Sequence, residues 1–428
     1  MRSIRSAYPN RVAILSDGDS ISYEELTEQH WTGPKGSVLV CCSSIINFTK
    51  AVVSLDSVVD SICVVNPTMS IQDLQHIINN QHFDCILTDL DSTHTILSMC
   101  KEASINPISI ELLTDNIVKL AELFASPMNL SGKITSWLIP TSGTTAAPKL
   151  IKHTIYSLAK ASISSAYISP SSTVWGLFYD VTRFAGYQVF FKALLSGDCI
   201  SYSSSTQHRI QTCIKDNVSK ISATATQWRV ILMSPLCDLL KLTHITIGGE
   251  AADQQVLNAL SKRFPKSKIT HVYASTEAGV VMSVSDCIAG FPISFLSDSI
   301  YIRDNLLYVD GISTGDIVEV LSDRLYIVGR ENGVINVAGD KVVPEKIRTI
   351  LLEHSAVQEA LVYGKKNPFI GQLVVADIKL AYEVPKEEIN KFLKQRLKSF
   401  EIPKIVNFVE DIEVSVTGKL IGKTTYGI

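Results

Sequence analysis

An apolar run, Leu138-Ile139-Pro140, gives way abruptly to Thr141-Ser142-Gly143-Thr144-Thr145-Ala146-Ala147-Pro148-Lys149, a hydroxyl-rich loop that ends on a lysine. Hydroxyls and exposed backbone N–H groups can surround phosphate oxygens from several directions, and a lysine supplies a compact positive charge. The same residue types also build ordinary surface turns, so composition alone leaves both readings open. Gly143 and Lys149 approach the spacing of a P-loop. Pro148 stands where the second glycine of that motif belongs and Leu150 where its magnesium-binding hydroxyl belongs, so neither the backbone cradle nor the metal ligand would form.

Around this loop the chain alternates. Apolar runs at 38–40, 62–65 and 85–88 are separated by helix-like stretches such as 70–79, which predicts a layered α/β sheet. Upstream, Asp17-Gly18-Asp19 joins a short hairpin, and Ser22 with Glu25 three residues on predicts a capped helix start. Downstream, 155–166 has helical spacing and the apolar run 189–195 closes at Ser196-Gly197-Asp198. From 299 onward the period becomes two, with runs at 300–303, 306–309, 317–321 and 324–328, the pattern of a small antiparallel meander. Beyond it, Pro344 suits the first turn of a helix. Two strands, a helix at 385–397 and a strand at 405–409 then make a compact α+β unit.

At 428 residues the chain calls for two or three domains. Its 39 basic and 42 acidic residues nearly balance, which argues against nucleic acid or an anionic membrane surface as the main partner. The arginines after Met1 have no apolar segment behind them, and no long stretch escapes polar interruption, so the expectation is a soluble, cytoplasmic protein. Nine cysteines without a C-x-x-C pair give neither a zinc pattern nor an even disulfide framework.

Five further segments carry chemistry. Gly248-Gly249-Glu250 ends an apolar run, where two glycines let backbone approach a flat ring closely. Tyr273-Ala274-Ser275-Thr276-Glu277 follows another run. Thr314-Gly315-Asp316 lies inside the meander, Gly329-Arg330-Glu331-Asn332 at its end, and Gly418-Lys419 in the tail. Alone, Thr276-Glu277 reads as a helix start and Lys419 as a solvated charge. Asn332-Gly333 also has the composition of a hairpin turn.

Taken in order, the set resembles the adenylate-forming superfamily of acyl-CoA synthetases, aryl-acid ligases and peptide-synthetase adenylation domains. The loop at 141–149 matches T-S-G-T-T-G-x-P-K-G except at Ala146 and Leu150; an alanine held at positive φ costs about 1 kcal/mol relative to glycine. Tyr273 to Glu277 resembles Y-G-x-T-E with Ala274 for glycine. Thr314 to Asp316 matches T-G-D, after an interval that is short for the family. Arg330 opens the hinge motif, and Gly418-Lys419 matches the terminal G-K although Glu413 replaces a proline. The resemblance implies a core over 1–328 of layered α/β subdomains plus the meander, a hinge at 329–332 and a mobile α+β cap over 333–428.

It also implies ATP and Mg²⁺ as cofactors, a carboxylic acid as substrate, and CoA or a phosphopantetheinyl carrier protein as acceptor, with a slight lean towards the carrier. By the match, Thr141, Ser142, Gly143, Thr144, Thr145 and Lys149 bind phosphates. Gly249 and Glu250 line the adenine and acid sites, Tyr273 stacks on adenine, Thr276 bonds the α-phosphate and Glu277 holds Mg²⁺. Asp316 takes the ribose, Arg330 ribose or phosphate, Asn332 is the hinge position, Gly339 lines a thiol tunnel and Lys419 is the mobile catalytic lysine. Asp180, Arg183, Gly186, Gly248 and Gly249 are the expected acid pocket, although Asp180 and Arg183 could equally form an internal ion pair or cap. Two other readings stand beside this one: an amino-acid-activating domain, for which the spacing around Asp180 does not register, and a non-catalytic nucleotide-binding homologue.

Overall fold

The computed structural model describes residues 10–27, 29–115, 134–141, 148–163, 173–367, 371–414 and 420–421. The alternation at 37–100 becomes a six-stranded sheet, in the order Lys149–His153, Ser136–Thr141, Ser61–Val64, Ser37–Cys41, Cys85–Thr88, Asn106–Ser109. Its pairings are parallel except that Lys149–His153 turns back on Ser136–Thr141. The runs are buried along their whole length because helices cover the sheet, among them Ile45–Leu55 and Ile71–Asn80. Ser44 and Ser70 start these helices by accepting the N–H groups of Asn47 and Asp73.

A second sheet has eight strands. Its parallel interior runs Lys268–Ser275, His244–Gly248, Lys220–Ala223, Val174–Leu177, Cys199–Tyr202, Val12–Ser16, with antiparallel edges at Gly279–Val284 and Asp19–Ser22. The predicted hairpin is thus stitched to Cys199–Tyr202, and the predicted capping pair forms, with Ser22 and Glu25 exchanging hydrogen bonds. The run 189–195 belongs to the helix Phe184–Leu195, which is apolar on most sides because it lies between the two sheets. Tyr187 and Phe191 meet Trp137 edge-on at 5.6 and 5.4 Å, and Phe190 meets Phe48 at 5.2 Å.

The meander is a five-stranded antiparallel sheet, and the C-terminal unit is another five-stranded sheet backed by Pro344–Leu352 and Lys386–Lys394, with an apolar core of its own. Asn332-Gly333 does not make a hairpin turn. The strands on either side, Arg324–Arg330 and Ile335–Val337, belong to different sheets, and a short 3₁₀ turn, Glu331–Gly333, carries the chain between them. No helix among the described residues is long and apolar enough to cross a membrane.

One buried group predicts a pH response. His271 stacks on Phe291 at 4.4 Å and its Nε2 accepts from the Ala252 N–H, while burial and then Arg324 push its pKa down to about 4. The unfolded imidazole binds its proton near 6.5, so the stability this residue holds is complete above that pH. It is lost as pH falls towards 4, at an expected cost of about 2 to 3 kcal/mol. Asp56, raised by burial to about 6, acts in the opposite direction. The measurable quantity is therefore the difference between urea-unfolding profiles of the wild type and His271→Gln, which should narrow by that amount from pH 7 to pH 4.5; parallel profiles would refute it.

Candidate active site

The C-terminal ends of the parallel strands in the eight-stranded sheet open onto a cavity of about 470 Å³. Its walls come from segments far apart in sequence. Thr141 and Pro140 stand at one side, Gly248, Gly249 and Glu250 on the floor, Thr276 and Glu277 at the edge, Arg330 from the meander, and Asp180 and Arg183 from the turn before Phe184–Leu195.

Backbone shape is set by the glycines. Gly249 adopts φ +77°, a left-handed conformation that an alanine would strain. The following Glu250 turns away and accepts the Thr226 N–H at 2.8 Å, at the start of the helix Ala225–Met233. Tyr179, which the sequence did not single out, gives its hydroxyl to the Gly248 carbonyl at 3.0 Å and so props the floor.

Side chains along Lys268–Ser275 alternate between faces. Val272 and Ala274 face the cavity, whereas Tyr273 points into the meander among Phe291, Met282, Leu307 and Leu325. The residue is buried, 9% exposed, and its hydroxyl donates to Asp316. In this structure the contact Tyr273 makes is with Asp316, which it helps to position. Asp316 is buried, and its other oxygen meets Arg330 Nε at 2.9 Å across the strand pair Asp316–Arg330. Arg330 is 53% exposed, so it is the more readily displaced partner of Asp316.

Thr276 is held by its backbone. Its carbonyl accepts from His153 Nε2 at 2.7 Å, which fixes the strand Lys149–His153 to the edge of the cavity. Burial lowers the His153 pKa, against the opposing pull of that bond and of Glu277, so the ring stays neutral with its proton on Nε2 at neutral pH. Nothing in the sequence around His153 pointed to this role. Glu277 is exposed, with no hydrogen-bond or ion-pair partner among the described residues. The described residues contain no cluster of three metal-ligating side chains. One free carboxylate fits Mg²⁺ delivered with a nucleotide, an ion that keeps waters and phosphate oxygens as its other ligands.

Asp180 lines the cavity, yet its oxygens are occupied: Oδ1 accepts from the Thr182 N–H and hydroxyl, Oδ2 from Asn66. It caps the turn, as the structural alternative expected. Arg183 donates to the Pro140 carbonyl at 3.1 Å, has a buried Nε without a hydrogen-bond partner, and has no carboxylate partner among the described residues. Gly186 is not on the wall. A Cβ there would lie 2.0 Å from the Asp180 carbonyl oxygen, so its part is to let the helix start pass under that turn. Lys149 begins its strand beside Thr141, exposed, outside the cavity lining. Ser142, Gly143, Thr144, Thr145 and Lys419 lie outside the described residues.

At the hinge, Gly329 packs so closely that a Cβ would meet Val343 at 2.3 Å and Glu345 at 2.7 Å. The C-terminal unit reaches the core through Arg348, which pairs with Glu359 at 2.8 Å and donates to Thr226 Oγ1 at 3.0 Å. Gly339 has φ +99° at the turn between Ile335–Val337 and Asp340–Val342, and a Cβ there would meet nothing within 4 Å. In this arrangement the need for glycine comes from the turn rather than from a narrow passage.

The AMP-binding enzyme family matches residues 3–306, and the AMP-binding enzyme C-terminal domain matches 346–419. Over 115 residues, 26% of this chain and 24% of the relative, the sequence is 34% identical to the 2-succinylbenzoate–CoA ligase of Bacillus cytotoxicus. Over 112 residues, 26% of this chain and 27% of the relative, it is 34% identical to the 3,4-dihydroxybenzoate–[aryl-carrier protein] ligase of Bacillus anthracis. Each match spans about a quarter of the relative. Among solved structures, the o-succinylbenzoate CoA synthetase of Bacillus subtilis with its acyl-adenylate intermediate superimposes with a TM-score of 0.71 at 17% identity, over 99% of this chain and 97% of that one. The same synthetase has been solved with ATP and a magnesium ion.

Proposed function

The chain belongs to the AMP-binding enzyme family, and from that premise we propose that it activates a carboxylic acid, aryl or acyl, with ATP and passes the acyl group to a thiol. The observation that carries this is the convergence of Thr141, Gly249, Thr276, Glu277 and Arg330, from four separate motifs, on one cavity. A carboxylate oxygen attacks the α-phosphorus while the bond to pyrophosphate breaks; a thiol sulfur then attacks the acyl carbon while the bond to AMP breaks. In the first step two anions meet. At 4 Å and an effective dielectric near 20 a unit pair repels by about 4 kcal/mol, so fixed cations must offset it. Arg183, whose cation meets no described carboxylate, lies beside the path of the acid, and Lys419 and the loop 141–149 are assigned to the phosphates by their motifs. Magnesium held by Glu277 would add charge neutralisation at the phosphates.

The proposed acceptor is CoA or a carrier protein bearing a phosphopantetheinyl thiol, with a slight preference for the carrier; the relatives' names include CoA and an aryl-carrier protein. The committed oxygens of Asp180 weigh against an amino-acid substrate, whose ammonium would need one of them. The charged set Lys149, Glu277, Asp316, Arg330 and Lys419 is complete, which weighs against a homologue without catalysis. The test is pyrophosphate release with ATP and Mg²⁺ against benzoic, cinnamic, fatty and amino acids. Release confined to one class of non-amino acid is expected; silence across the panel with ATP still bound would favour the non-catalytic reading.

The cap over 333–428 is proposed to turn about 329–332 between the half-reactions, bringing Gly339 to the thiol path. Gly339→Leu strains its turn by about 1 to 2 kcal/mol wherever the cap sits. It is expected to spare adenylate formation and to block thioester formation, assayed separately; equal loss of both would remove the tunnel assignment.

A further inference from the structure

Below the rim of the cavity the walls present hydrogen-bond acceptors that no motif announced. On the neighbouring strands Lys220–Ala223 and His244–Gly248, Ile221, Ala223, Ile245 and Ile247 enter the core behind the sheet, which turns Ser222 and Thr246 to the cavity. The two are direct partners in the parallel register. Each lies two residues before a rim residue, Thr224 or Gly248, and so about 7 Å deeper along its strand. Gln188 comes from the facing helix. Phe184–Leu195 starts at the rim beside Arg183, and Gln188 lies five residues past that arginine, again about 7 to 8 Å down.

All three side chains offer an oxygen. The Thr246 carbonyl is taken by Trp228 Nε1 at 2.9 Å, but the Thr246 hydroxyl has no hydrogen-bond partner among the described residues. Ser222 bonds the Tyr179 hydroxyl, whose one proton goes to the Gly248 carbonyl. Ser222 is therefore the donor in that bond, and its own lone pairs stay open. Gln188 Nε2 donates to the Leu158 carbonyl, which fixes the amide with Oε1 as the acceptor left over. Between this belt and the rim, Phe184, Val272 and Ala274 make the wall apolar, and Trp175, two positions deeper than the level of Ser222, adds an aromatic face. An alkyl chain laid through the belt would strip water from three acceptors and return no donor. A ring whose carboxylate stands at the rim spans the apolar stretch and brings a ring substituent to the belt.

Resting on the adenylation reading for the reacting end, we propose that the substrate is an aryl acid carrying a hydrogen-bond donor on its ring, a hydroxyl or an amino group, and that Thr246, Ser222 and Gln188 receive that donor. Thr246, with its whole hydroxyl uncommitted, is the specificity-determining residue of the three.

The experiment compares benzoic acid with its 3- and 4-hydroxy, 3- and 4-amino and 4-methoxy derivatives, and with hexanoic acid. Calorimetric binding and pyrophosphate release are measured on the wild type, Thr246→Val and Thr246→Ser. The wild type should favour at least one hydroxy or amino acid over benzoic, methoxybenzoic and hexanoic acids by about 10-fold or more; whether the hydroxyl or the amine leads identifies the donor. Thr246→Val, which keeps the shape and removes the hydroxyl, should cut that preference about 10-fold, and Thr246→Ser should retain most of it, with melting temperatures measured for both. A wild type that prefers benzoic or hexanoic acid, or a preference untouched by Thr246→Val, overturns the proposal. Pyrophosphate release without the preference would sink the belt and leave the ligase standing. A Thr246-dependent preference in binding, with no release from any acid, would keep the belt and sink the ligase.

Discussion

Asp316→Ala is expected to weaken ATP binding by at least about 100-fold and to lower core stability by about 2 to 4 kcal/mol. The two losses have different origins. The affinity loss follows from removing the carboxylate proposed to accept from the ribose hydroxyls. The stability loss comes mainly from Tyr273, whose buried hydroxyl loses its acceptor; Arg330 is half exposed, and its ion pair adds little in water. Asp316→Asn separates them, since the amide oxygen can still accept from Tyr273 while the charge is gone. Calorimetric titration with ATP and urea unfolding of both variants provide the check. ATP affinity in Asp316→Asn within a few-fold of the wild type would remove the ribose role.

Lys419→Ala is expected to slow adenylate formation by about two to three decades, equivalent to roughly 3 to 4 kcal/mol of transition-state stabilisation. The argument is electrostatic: charge gathers on the phosphoryl oxygens as the carboxylate arrives, and a cation placed there in advance stabilises the transition state more than the ground state. Thioester formation from a supplied acyl-adenylate should be largely spared, because the proposed cap rotation withdraws this lysine before the thiol arrives. Single-turnover assays of the two halves decide it. Equal impairment of both would assign Lys419 to general nucleotide binding or to folding.

The motifs at Thr141, Gly248–Glu250 and Tyr273–Glu277 were legible because each sits where a strand ends, a change that local composition records. Their convergence was legible only through their order. What stayed hidden depends on contacts between segments distant in sequence. His153 looks like any strand histidine until Thr276 is brought against it, and Tyr179 like any core tyrosine until Gly248 is above it. At Tyr273 the motif suggests a ligand contact, whereas alternation along Lys268–Ser275 turns the side chain to the opposite face from Ala274, which the sequence pattern alone did not bring out. Asn332-Gly333 has hairpin composition, but a hairpin also needs partner strands in one sheet, and a dipeptide does not carry that information.

The stitching of Val12–Ser16 to Cys199–Tyr202 bears on the order of assembly. Arg11 donates to the Gly197 carbonyl at a sequence separation of 186, and the parallel register of Ile14 on Ile200 lies equally far away. During synthesis the first hairpin therefore emerges with an unpaired edge and no sheet to join. Its partner strand arrives only after the entire six-stranded sheet has left the ribosome. Closing so long a loop is slow, and an open strand edge is adhesive in the meantime. Because the core formed by Ala13, Ile14 and Tyr23 includes Phe190 and Ile200, residues made well before their partners are among the last to find their places.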